Sequence, residues 1–416
     1  MITRQLSDQL TVSSSQLFGN TIDEFISSFQ FNNTLEINMN TEVYIDFELD
    51  RKADTKKICP ILRMASVEDA LDIVEIYKSV YDNYPYKEML DVDEIKKMIL
   101  NDAVKWIMFL DRNGNSIGCF TFILDFKTKR GYIRGLMIKR EFQGYFDAVK
   151  ATMASFYVMW TRYKDKIYIW HAEARTAHAK SQYVAVISSL KPIGFFPNKD
   201  IFNNKVESDL FMITYDQRVL SEYRSNKIPK IIPQAENPFF YSTQRHNLGG
   251  FERVDPKIVL NNSEICKARK KMSRKIEKDN FGYETIKIEI KGSLSWFKFL
   301  HTPMVRNFEK TVYQVASLEE LYVFIEEFKK CAEDLGVRYY ECFVSAYQPE
   351  HQKLFFDAGL IPRGYVPSWA YNSDDDLFDD YIIFNSYLGD IDNNIRLVSD
   401  AEDLLFSLGY ELEDSF

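Results

Sequence analysis

The chain has 416 residues, of which 46% are hydrophobic and 27% are charged, and its formal net charge is −9 with a pI near 5.3. This composition is typical of globular proteins, and the length suits about two or three domains. The acidic balance argues against a general nucleic-acid-binding protein. A basic run at residues 267–278 is interpreted as a solvated helix face or linker, and a local basic patch is the alternative.

The sequence carries no signal for a membrane segment, a disulfide framework or a metal site. No apolar run approaches the roughly 18–20 residues that span a bilayer, and the N-terminus lacks the apolar core of a signal peptide. The five cysteines are scattered without a CxxC motif, and none of the five histidines has HExxH spacing. We therefore expect a cytoplasmic protein in a reducing compartment, without bound metal, membrane contact or nucleic-acid partner.

The first half of the chain alternates between strand and helix patterns. Residues 1–58 are polar, with one alternating stretch at 42–49, and are interpreted as an N-terminal extension. Beyond them, the predicted strands are 61–65, 104–111, 116–126, 131–138, 166–174 and 209–216. The predicted helices are 67–82, 91–102, 145–165 and 179–191. Helices that alternate with a mixed sheet predict one α/β domain at residues 59–220.

A second α/β region is predicted after the Pro/Asn-rich segment 221–255, which is interpreted as an ordered linker. Its predicted strands are 284–290, 309–316, 338–346 and 381–388, and its predicted helices are 317–336 and 349–359. Ser317 and Gly336 suit the two ends of the first of these helices. Residues 398–412 predict an amphipathic helix that docks on a domain. The second domain is assigned to residues 256–416.

Two stretches of the chain, 174–197 and 344–362, resemble each other. Each combines a strand end, a short polar loop, a helix that carries a glutamine (Gln182 or Gln352) and a Gly-apolar-x-Pro sequence. The first helix is expected to be five residues longer between its glutamine and the glycine. This similarity predicts a duplicated fold. The alternative is a common helix-to-strand connection, in which glycine ends the helix.

The segment 138–148, IKREFQGYFDA, follows an apolar strand and leads into a helix. In this order of elements, residues 60–216 resemble the GCN5-related N-acetyltransferase superfamily. In that superfamily a Q/R-x-x-G-x-G/A loop between a strand and a helix holds the pyrophosphate of acetyl-CoA. Residues 309–388 resemble the C-terminal half of the same fold. The resemblance implies a mixed-sheet α/β fold with two tandem superfamily-like domains behind an N-terminal extension.

The loop matches the superfamily pattern in part. Gln143, Gly144 and Ala148 occupy its first, second and last positions, and Phe146 replaces the central glycine. A helix start favours phosphate through its free N–H groups and its dipole, but Phe146 restricts close approach and Asp147 adds negative charge. The resemblance implies acetyl-CoA as the acyl donor, bound at the strand end and in the loop by Met137, Ile138, Gln143, Gly144, Tyr145, Phe146 and Ala148. The alternative is an ordinary strand-to-helix turn.

The corresponding turn of the second copy differs more strongly from the pattern. Residues 315–322 contain no glycine, and Glu319 and Glu320 fall in the first turn of a helix. These carboxylates suit the helix dipole but would repel a phosphate. We therefore expect no CoA in the second copy, and packing, dimerisation or shaping of a substrate cleft are the roles left open for it.

Acyl transfer to an amine needs a proton acceptor, a donor to the carbonyl oxygen and a proton for the leaving sulfur. The resemblance implies a tyrosine acid four residues before the helix-ending glycine, but Leu190 and Phe355 occupy this position in the two copies. Tyr183 is the remaining acid candidate on the first helix. Glu173 and His178 are the base candidates because they lie at and just after a strand end, where α/β sheets bind ligands. The alternative for Glu173 is a surface or ion-paired carboxylate, and the alternative for His178 is a polar loop residue or a helix cap.

Four residues are candidates for the acceptor cleft. Arg134, on the strand before the loop, would bind an acidic group of the substrate, and a cross-sheet ion pair is its alternative. Tyr84, Tyr86 and Trp170 would line the cleft. The alternative for these three residues is packing in the core or at the rim.

Two functions remain open at this point. The first is an acyl-CoA-dependent N-acyltransferase, in its simplest form an N-acetyltransferase, that acts on a small-molecule or peptide amine. The second is a non-catalytic domain of the same fold that binds a protein partner or senses a ligand, which Phe146, Asp147 and the missing acid favour. A transferase that uses aminoacyl-tRNA is disfavoured by the acidic pI.

Overall fold

The computed structural model describes residues 10–12, 43–44, 47–49, 61–111, 113–391 and 395–411. The chain divides into two compact units. Unit 1 comprises residues 1–174, 178–191 and 212–219, and unit 2 comprises residues 175–177, 192–211 and 220–416. Both units combine helices with a sheet, which confirms the predicted mixed α/β class. Within the described residues, no helix is both long enough and apolar enough to cross a membrane.

The secondary-structure elements alternate along most of the chain. The strands are β1 (Leu10–Val12), β2 (Val43–Tyr44), β3 (Phe47–Leu49), β4 (Ile61–Met64), β5 (Val104–Leu110), β6 (Ser116–Asp125), β7 (Arg130–Ile138), β8 (Ile169–Arg175), β9 (Lys191–Phe202), β10 (Lys205–Tyr215), β11 (Lys230–Ile231), β12 (Glu252–Arg253), β13 (Met272–Lys278), β14 (Glu284–Ile290), β15 (Trp296–Thr302), β16 (Asn307–Gln314), β17 (Tyr339–Ser345), β18 (Ile361–Asn372) and β19 (Leu377–Tyr387). The helices are α1 (Ala70–Val80), α2 (Val92–Leu100), α3 (Ala148–Tyr163), α4 (Ala179–Ile187), α5 (Gln217–Ser221), α6 (Glu236–His246), α7 (Asn262–Lys271), α8 (Leu318–Asp334), α9 (Pro349–Asp357) and α10 (Ser399–Ser407).

Unit 1 is built on a sheet with the strand order β10–β8–β7–β6–β5–β4–β2, to which β10 contributes residues 212–215. Neighbouring strands from β4 to β7 are antiparallel, and β7 and β8 are parallel. The short strands β1 and β3 form a separate parallel pair.

Polar residues mark the starts of the helices that cover this sheet. The Ser66 backbone N–H donates to the Asp69 carboxylate at 2.7 Å, and Arg63 pairs with the same carboxylate at 2.6 Å just before α1. Asp91 accepts the Glu94 N–H at 3.0 Å at the start of α2. The Asp91 bond satisfies an N–H that α2 leaves open at its first turn. The Ser66–Asp69 bond closes the 3-10 turn at residues 67–69 that leads into α1.

The two faces of the unit 1 sheet pack against different helices. Trp106 of β5 lies against Tyr77 of α1, with ring centroids 6.2 Å apart. Trp170 of β8 lies against Phe156 of α3 at 5.5 Å and against Phe122 of β6 at 5.9 Å. Side chains alternate between the faces of a sheet, so these contacts define an α1 face and an α3 face.

Unit 2 has a sheet with the order β13–β14–β15–β16–β17–β19–β18–β9–β10, to which β9 contributes residues 192–202 and β10 residues 205–211. Its core is aromatic. The ring of Phe299 lies 4.5 Å from that of Phe308 and 4.7 Å from that of Phe328 on α8. These rings fix α8 against β15 and β16.

The same order of elements occurs twice in the chain, as β7–α3–β8–α4–β9–β10 and as β16–α8–β17–α9–β18–β19. The last three elements of the two series have equal lengths. Helices α4 and α9 have nine residues each, strands β9 and β18 have twelve, and strands β10 and β19 have eleven. The expectation of a longer first helix at 179–191 was wrong, because α4 ends at Ile187.

The ends of α4 and α9 explain this length. Ser189 has a φ of 63°, and the next N–H, that of Leu190, donates to the Ala185 carbonyl at 3.0 Å. Gly359 has a φ of 92° at the same place after α9, where Leu360 donates to the Phe355 carbonyl at 3.1 Å. A left-handed residue followed by such a bond ends a helix. Serine takes the role in α4 that glycine usually has.

Strands β9 and β18 were not predicted, because their prolines and glycines are typical of loops. The β18–β19 ladder has register shifts between Pro362 and Gly364 and between Val366 and Ala370. Bulges of this kind accommodate residues that cannot donate to a ladder. Gly364 opposes Gly194 of β9, and a Cβ on Gly364 would lie 2.8 Å from the Gly194 Cα. The two glycines therefore permit the strands to approach.

The segment 221–255 packs within unit 2. Arg224 pairs with the buried Asp380 carboxylate at 2.6 Å. Helix α6 lies in the middle of the segment, and its Tyr241 hydroxyl donates to the Asp400 carbonyl at 2.8 Å. Asp400 belongs to α10, which occupies part of the predicted C-terminal helix. Buried polar contacts thus fix this segment.

Candidate functional site

Strand β7 carries a β-bulge just before its end. Cys119 opposes Met137 and Thr121 opposes Arg134, so β7 uses one residue more than β6 over this stretch. Gly135 lies inside the bulge with a φ of 63°. A bulge leaves a residue outside the ladder, and its backbone groups are then free to bind a ligand.

Strands β7 and β8 separate at the same point. They pair in parallel from Arg130 and Ile169 to Ile133 and Ala172, and the pairing stops there. We call the opening between residues 134–138 of β7 and residues 173–174 of β8 the strand gap. It lies at the carboxyl ends of two adjacent parallel strands, where α/β sheets bind their ligands.

Two buried side-chain oxygen atoms line the bulge. The Tyr77 hydroxyl lies 2.3 Å from the position that a Cβ of Gly135 would take, and Thr121 Oγ1 lies 3.3 Å from it. Within the described residues, neither oxygen has a hydrogen-bond partner. Burial raises the pKa of Tyr77 well above its ordinary value, so its hydroxyl keeps its proton. The bulge is therefore a polar point inside an otherwise apolar layer.

The loop at residues 139–148, the α3 loop, bonds largely to itself. The N–H groups of Tyr145 and Phe146 donate to the Phe142 carbonyl at 3.1 and 3.0 Å. The Ala148 N–H donates to the Phe146 carbonyl at 3.0 Å. Three of the amides that the sequence assigns to a pyrophosphate are thus engaged inside the loop.

The outer part of the α3 loop is open. The Gln143 side chain donates to the Ile138 carbonyl at 3.0 Å and braces the start of the loop. Gly144 has a φ of 91°, and a Cβ on it would meet no atom within 4 Å. The next residue, Tyr145, is 65% exposed. A ligand could approach the loop from this side.

Phe146 and Asp147 lie on the inner side of the loop. Phe146 is 4% exposed and its ring stacks on Phe109 of β5 at 5.6 Å. Asp147 is 8% exposed and directly precedes α3. A carboxylate at this position is stabilised by the helix dipole, and it lowers the attraction of the same helix start for a second anion.

The base and acid candidates do not lie on one element. Glu173 is half-buried at the end of β8, and His178 is exposed directly before α4. Tyr183 is 43% exposed on α4. Because α4 ends earlier than expected, the position four residues before its left-handed residue is Ala185 rather than Leu190. Neither residue can serve as an acid.

The acceptor candidates divide between the two faces of the sheet. The Arg134 guanidinium lies 5.7 Å from the centre of the Tyr86 ring, and Tyr84 lies 5.6 Å from Tyr86. Trp170 is fully buried on the α3 face and contacts α3 instead. The structure thus brings together Arg134, Tyr84 and Tyr86 but not Trp170.

The sequence analysis overlooked the residues around the bulge. Tyr77 has the helical spacing of a core residue, and nothing in that pattern singles it out. Thr121 stands in an apolar strand in the same way. Gly135 offered the one usable signal, because a glycine inside a strand often marks a bulge.

The second copy has carboxylates at the corresponding helix start. Ser317 accepts the Glu320 N–H at 3.3 Å before α8, and the Ser293 hydroxyl donates to the Glu320 carboxylate at 3.1 Å. Glu319 accepts the Asn261 N–H at 3.2 Å. The first turn of α8 is therefore occupied by negative groups that this unit itself holds in place.

Comparison with known proteins gives structural similarity only. No protein-family model and no curated protein matches the chain. A mutant of spermidine N-acetyltransferase from Vibrio cholerae is similar at 15% identity and a TM-score of 0.33, over 38% of this chain and 94% of that chain. Ribosomal-protein-S5-alanine acetyltransferase from Vibrio fischeri is similar at 16% identity and a TM-score of 0.33, over 38% of this chain and 93% of that chain. At this identity and score, the similarity does not assign a function to the chain.

Proposed function

We propose that unit 1 is an acyl-CoA-dependent N-acyltransferase, specifically an N-acetyltransferase that uses acetyl-CoA and acts on a small-molecule or peptide amine. The strand gap is the observation that carries this proposal. Two adjacent parallel strands separate directly before the chain turns into α3, and one of them is bulged at that point. The carbonyl oxygen of a thioester needs such a backbone donor. The phosphates in the nucleotide part of acetyl-CoA need a nearby helix start.

The strand gap, His178 and helix α4 supply the remaining groups for amide formation. Acetyl-CoA, when bound, would supply an acyl group activated as a thioester. The backbone at Gly135 donates to the carbonyl oxygen while a C–N bond forms and the C–S bond breaks. Glu173 or His178 accepts the proton that the amine loses, directly or through one water. Tyr183 or solvent returns a proton to the leaving sulfur.

We also propose that the chain is a tandem of two such folds, at residues 59–220 and 256–416, behind the extension 1–58. The matching element lengths support this, and so does a second bulge. Strand β16 uses one residue more than β15 near Lys310, which has a φ of 54°. The carboxylates at the start of α8 support a second copy without CoA.

A second candidate function is a non-catalytic module of the same fold that binds a partner or senses a ligand. The bonded amides of Tyr145, Phe146 and Ala148 favour it, because a phosphate would compete with these hydrogen bonds. The carboxylate of Asp147 at the start of α3 favours it as well.

Titration of the full chain with acetyl-CoA separates the two functions. Calorimetry is expected to give saturable binding, and Gly144→Trp is expected to weaken it by about tenfold or more. The reason is steric, because the space beside Gly144 is open and an indole there would cover the α3 loop without displacing a neighbour.

Gly114→Trp is the matched control for this titration. Gly114 also has a positive φ, 82°, with no atom within 4 Å of its Cβ position, but it lies in the turn between β5 and β6. Its substitution imposes the same backbone strain and is expected to leave binding unchanged. Equal weakening by both variants, or no binding by the folded wild-type chain, would contradict the transferase proposal.

A further inference from the structure

Among the described residues, the Arg134 guanidinium has no carboxylate in direct contact. Within the described part of the chain it forms no ion pair and no hydrogen bond, and Glu88 attracts it only at longer range. Two other arginines of unit 1, Arg63 and Arg140, pair with aspartates at 2.6 and 2.9 Å. A guanidinium stays charged at every accessible pH, and keeping it partly buried and unpaired is unfavourable. This points to a partner that the described residues do not supply.

Aromatic rings hold this guanidinium in place. It lies over Tyr86, which in turn contacts Tyr84. Tyr132, two residues earlier on β7, stacks on His171 of β8 at 5.0 Å. A guanidinium that rests on a ring keeps its N–H groups available, and their spacing matches the two oxygens of a carboxylate. Arg134 and Tyr86 are both partly exposed, so a ligand can reach them.

The strand register places Arg134 away from the α3 loop. Trp106 opposes Thr121, and Thr121 opposes Arg134, so all three point to the α1 face. Phe146 and its partner Phe109 lie on the other side of β5, since Phe109 is three residues from Trp106. An anion at Arg134 is therefore separate from a pyrophosphate at the α3 loop.

The same register brings Arg134 next to the base candidate. Ile133 of β7 pairs with Ala172 of β8, so Arg134 and Glu173 are the next residues of two neighbouring strands and share the α1 face. The pairing of the two strands stops directly before these residues, and among the described residues their side chains form no ion pair with each other. A molecule with a carboxylate and an amine a few bonds apart fits between them.

We propose that Arg134 binds a carboxylate of the acceptor, and that the acceptor is an amino acid or a similar small amine with a carboxylate. This inference rests on the proposed transferase activity. The carboxylate anchors the acceptor at the α1 face, and its amine faces Glu173 and the bulge. The amine nitrogen forms the amide bond as the C–S bond breaks, and its proton goes to Glu173. Tyr183 or solvent protonates the leaving sulfur, and the products are an N-acetylamino acid and the free thiol.

Acetylation of single amino acids and of their carboxamides tests this proposal. Arg134→Gln is expected to lower kcat/KM for amino acids by about 30-fold or more, because the acceptor carboxylate loses its charged partner. The carboxamides, which the wild type should use poorly, are expected to keep their kcat/KM. Arg134→Lys should restore part of the loss, since a lysine offers charge without the bidentate geometry.

Arg130→Gln is the control, because Arg130 lies on the same strand and the same face and already donates to Thr128 at 3.1 Å. It is expected to leave the preference for amino acids intact. Wild-type use of carboxamides equal to that of amino acids would overturn the proposal. Loss of acetyl-CoA binding in Arg134→Gln would overturn it as well, by assigning the guanidinium to the donor.

A thermal-shift assay keeps this test separate from the transferase proposal. If the wild type binds no acetyl-CoA, the transferase proposal fails, but the carboxylate site is still measured directly. Stabilisation by an amino acid, absent with its carboxamide and absent in Arg134→Gln, would support the site. No response to any amino acid would overturn it.

Discussion

Replacement of Asp380 by alanine is expected to lower the free energy of unfolding of unit 2 by about 3–5 kcal/mol, because it leaves the largely buried guanidinium of Arg224 without its counter-charge. The Asp380 carboxylate is 0% exposed and pairs with Arg224 at 2.6 Å. It also accepts the Tyr365 hydroxyl and, at 2.8 Å, the Ser368 N–H. Native-state hydrogen exchange in β18 and β19 measures this free energy within unit 2.

The neighbouring Asp379 provides the control. It pairs with Lys227 at 3.3 Å, and the lysine side chain is 55% exposed. Such a pair contributes about 0–1 kcal/mol, so Asp379→Ala is expected to change little. Arg224→Ala should lower the free energy of unfolding as Asp380→Ala does. The double variant should lose less free energy than the sum of the two single losses, because both substitutions remove the same ion pair. Equal losses for Asp379→Ala and Asp380→Ala would refute this account.

The elements that the sequence predicts well are those with local signals. Helix α8 lies within the predicted range 317–336, because its apolar periodicity is long and Ser317 caps its start. The starts of α1 and α2 follow from polar residues in the same way. Local propensity and packing agree in these segments, so the pattern alone is sufficient.

The elements that were missed depend on contacts between distant residues. Strand β18 contains Pro362 and Gly364, which locally favour a loop, and the bulged ladder with β19 overrides them. The end of α4 was misplaced because Ser189 takes a left-handed conformation that the sequence alone assigns to glycine. In both cases tertiary structure determines a backbone that local rules disfavour.

The candidate site shows the same division. The pattern of the α3 loop is visible in the sequence, but the carbonyl partners of its amides are not, because they depend on backbone geometry. The grouping of Arg134 with Tyr86 and the separation of Trp170 both depend on how β7 and β8 pair. Sequence supplies the residue types of the site, and strand register determines which of them share a face.

Gly135→Ala is expected to lower the free energy of unfolding of unit 1 by about 2–4 kcal/mol, from overpacking and from the positive φ together. The new Cβ would lie 2.3 Å from the Tyr77 hydroxyl, and Gly135 has a φ of 63°. Gly114→Ala, at a φ of 82° in open space, isolates the backbone contribution and should lose only about 1–2 kcal/mol. Urea unfolding followed by the fluorescence of the unit 1 tryptophans measures each change.

Tyr77→Phe tests whether the Tyr77 hydroxyl lies against Gly135. Its hydroxyl is buried without a partner among the described residues, so its removal should leave stability unchanged or raise it. In the double variant the nearest ring carbon would lie 3.5 Å from the new Cβ, an ordinary contact. Tyr77→Phe should therefore recover the overpacking part of the Gly135→Ala loss and leave the backbone part. Additive losses would mean that the hydroxyl does not lie against Gly135, and the overpacking account of the bulge would then be wrong.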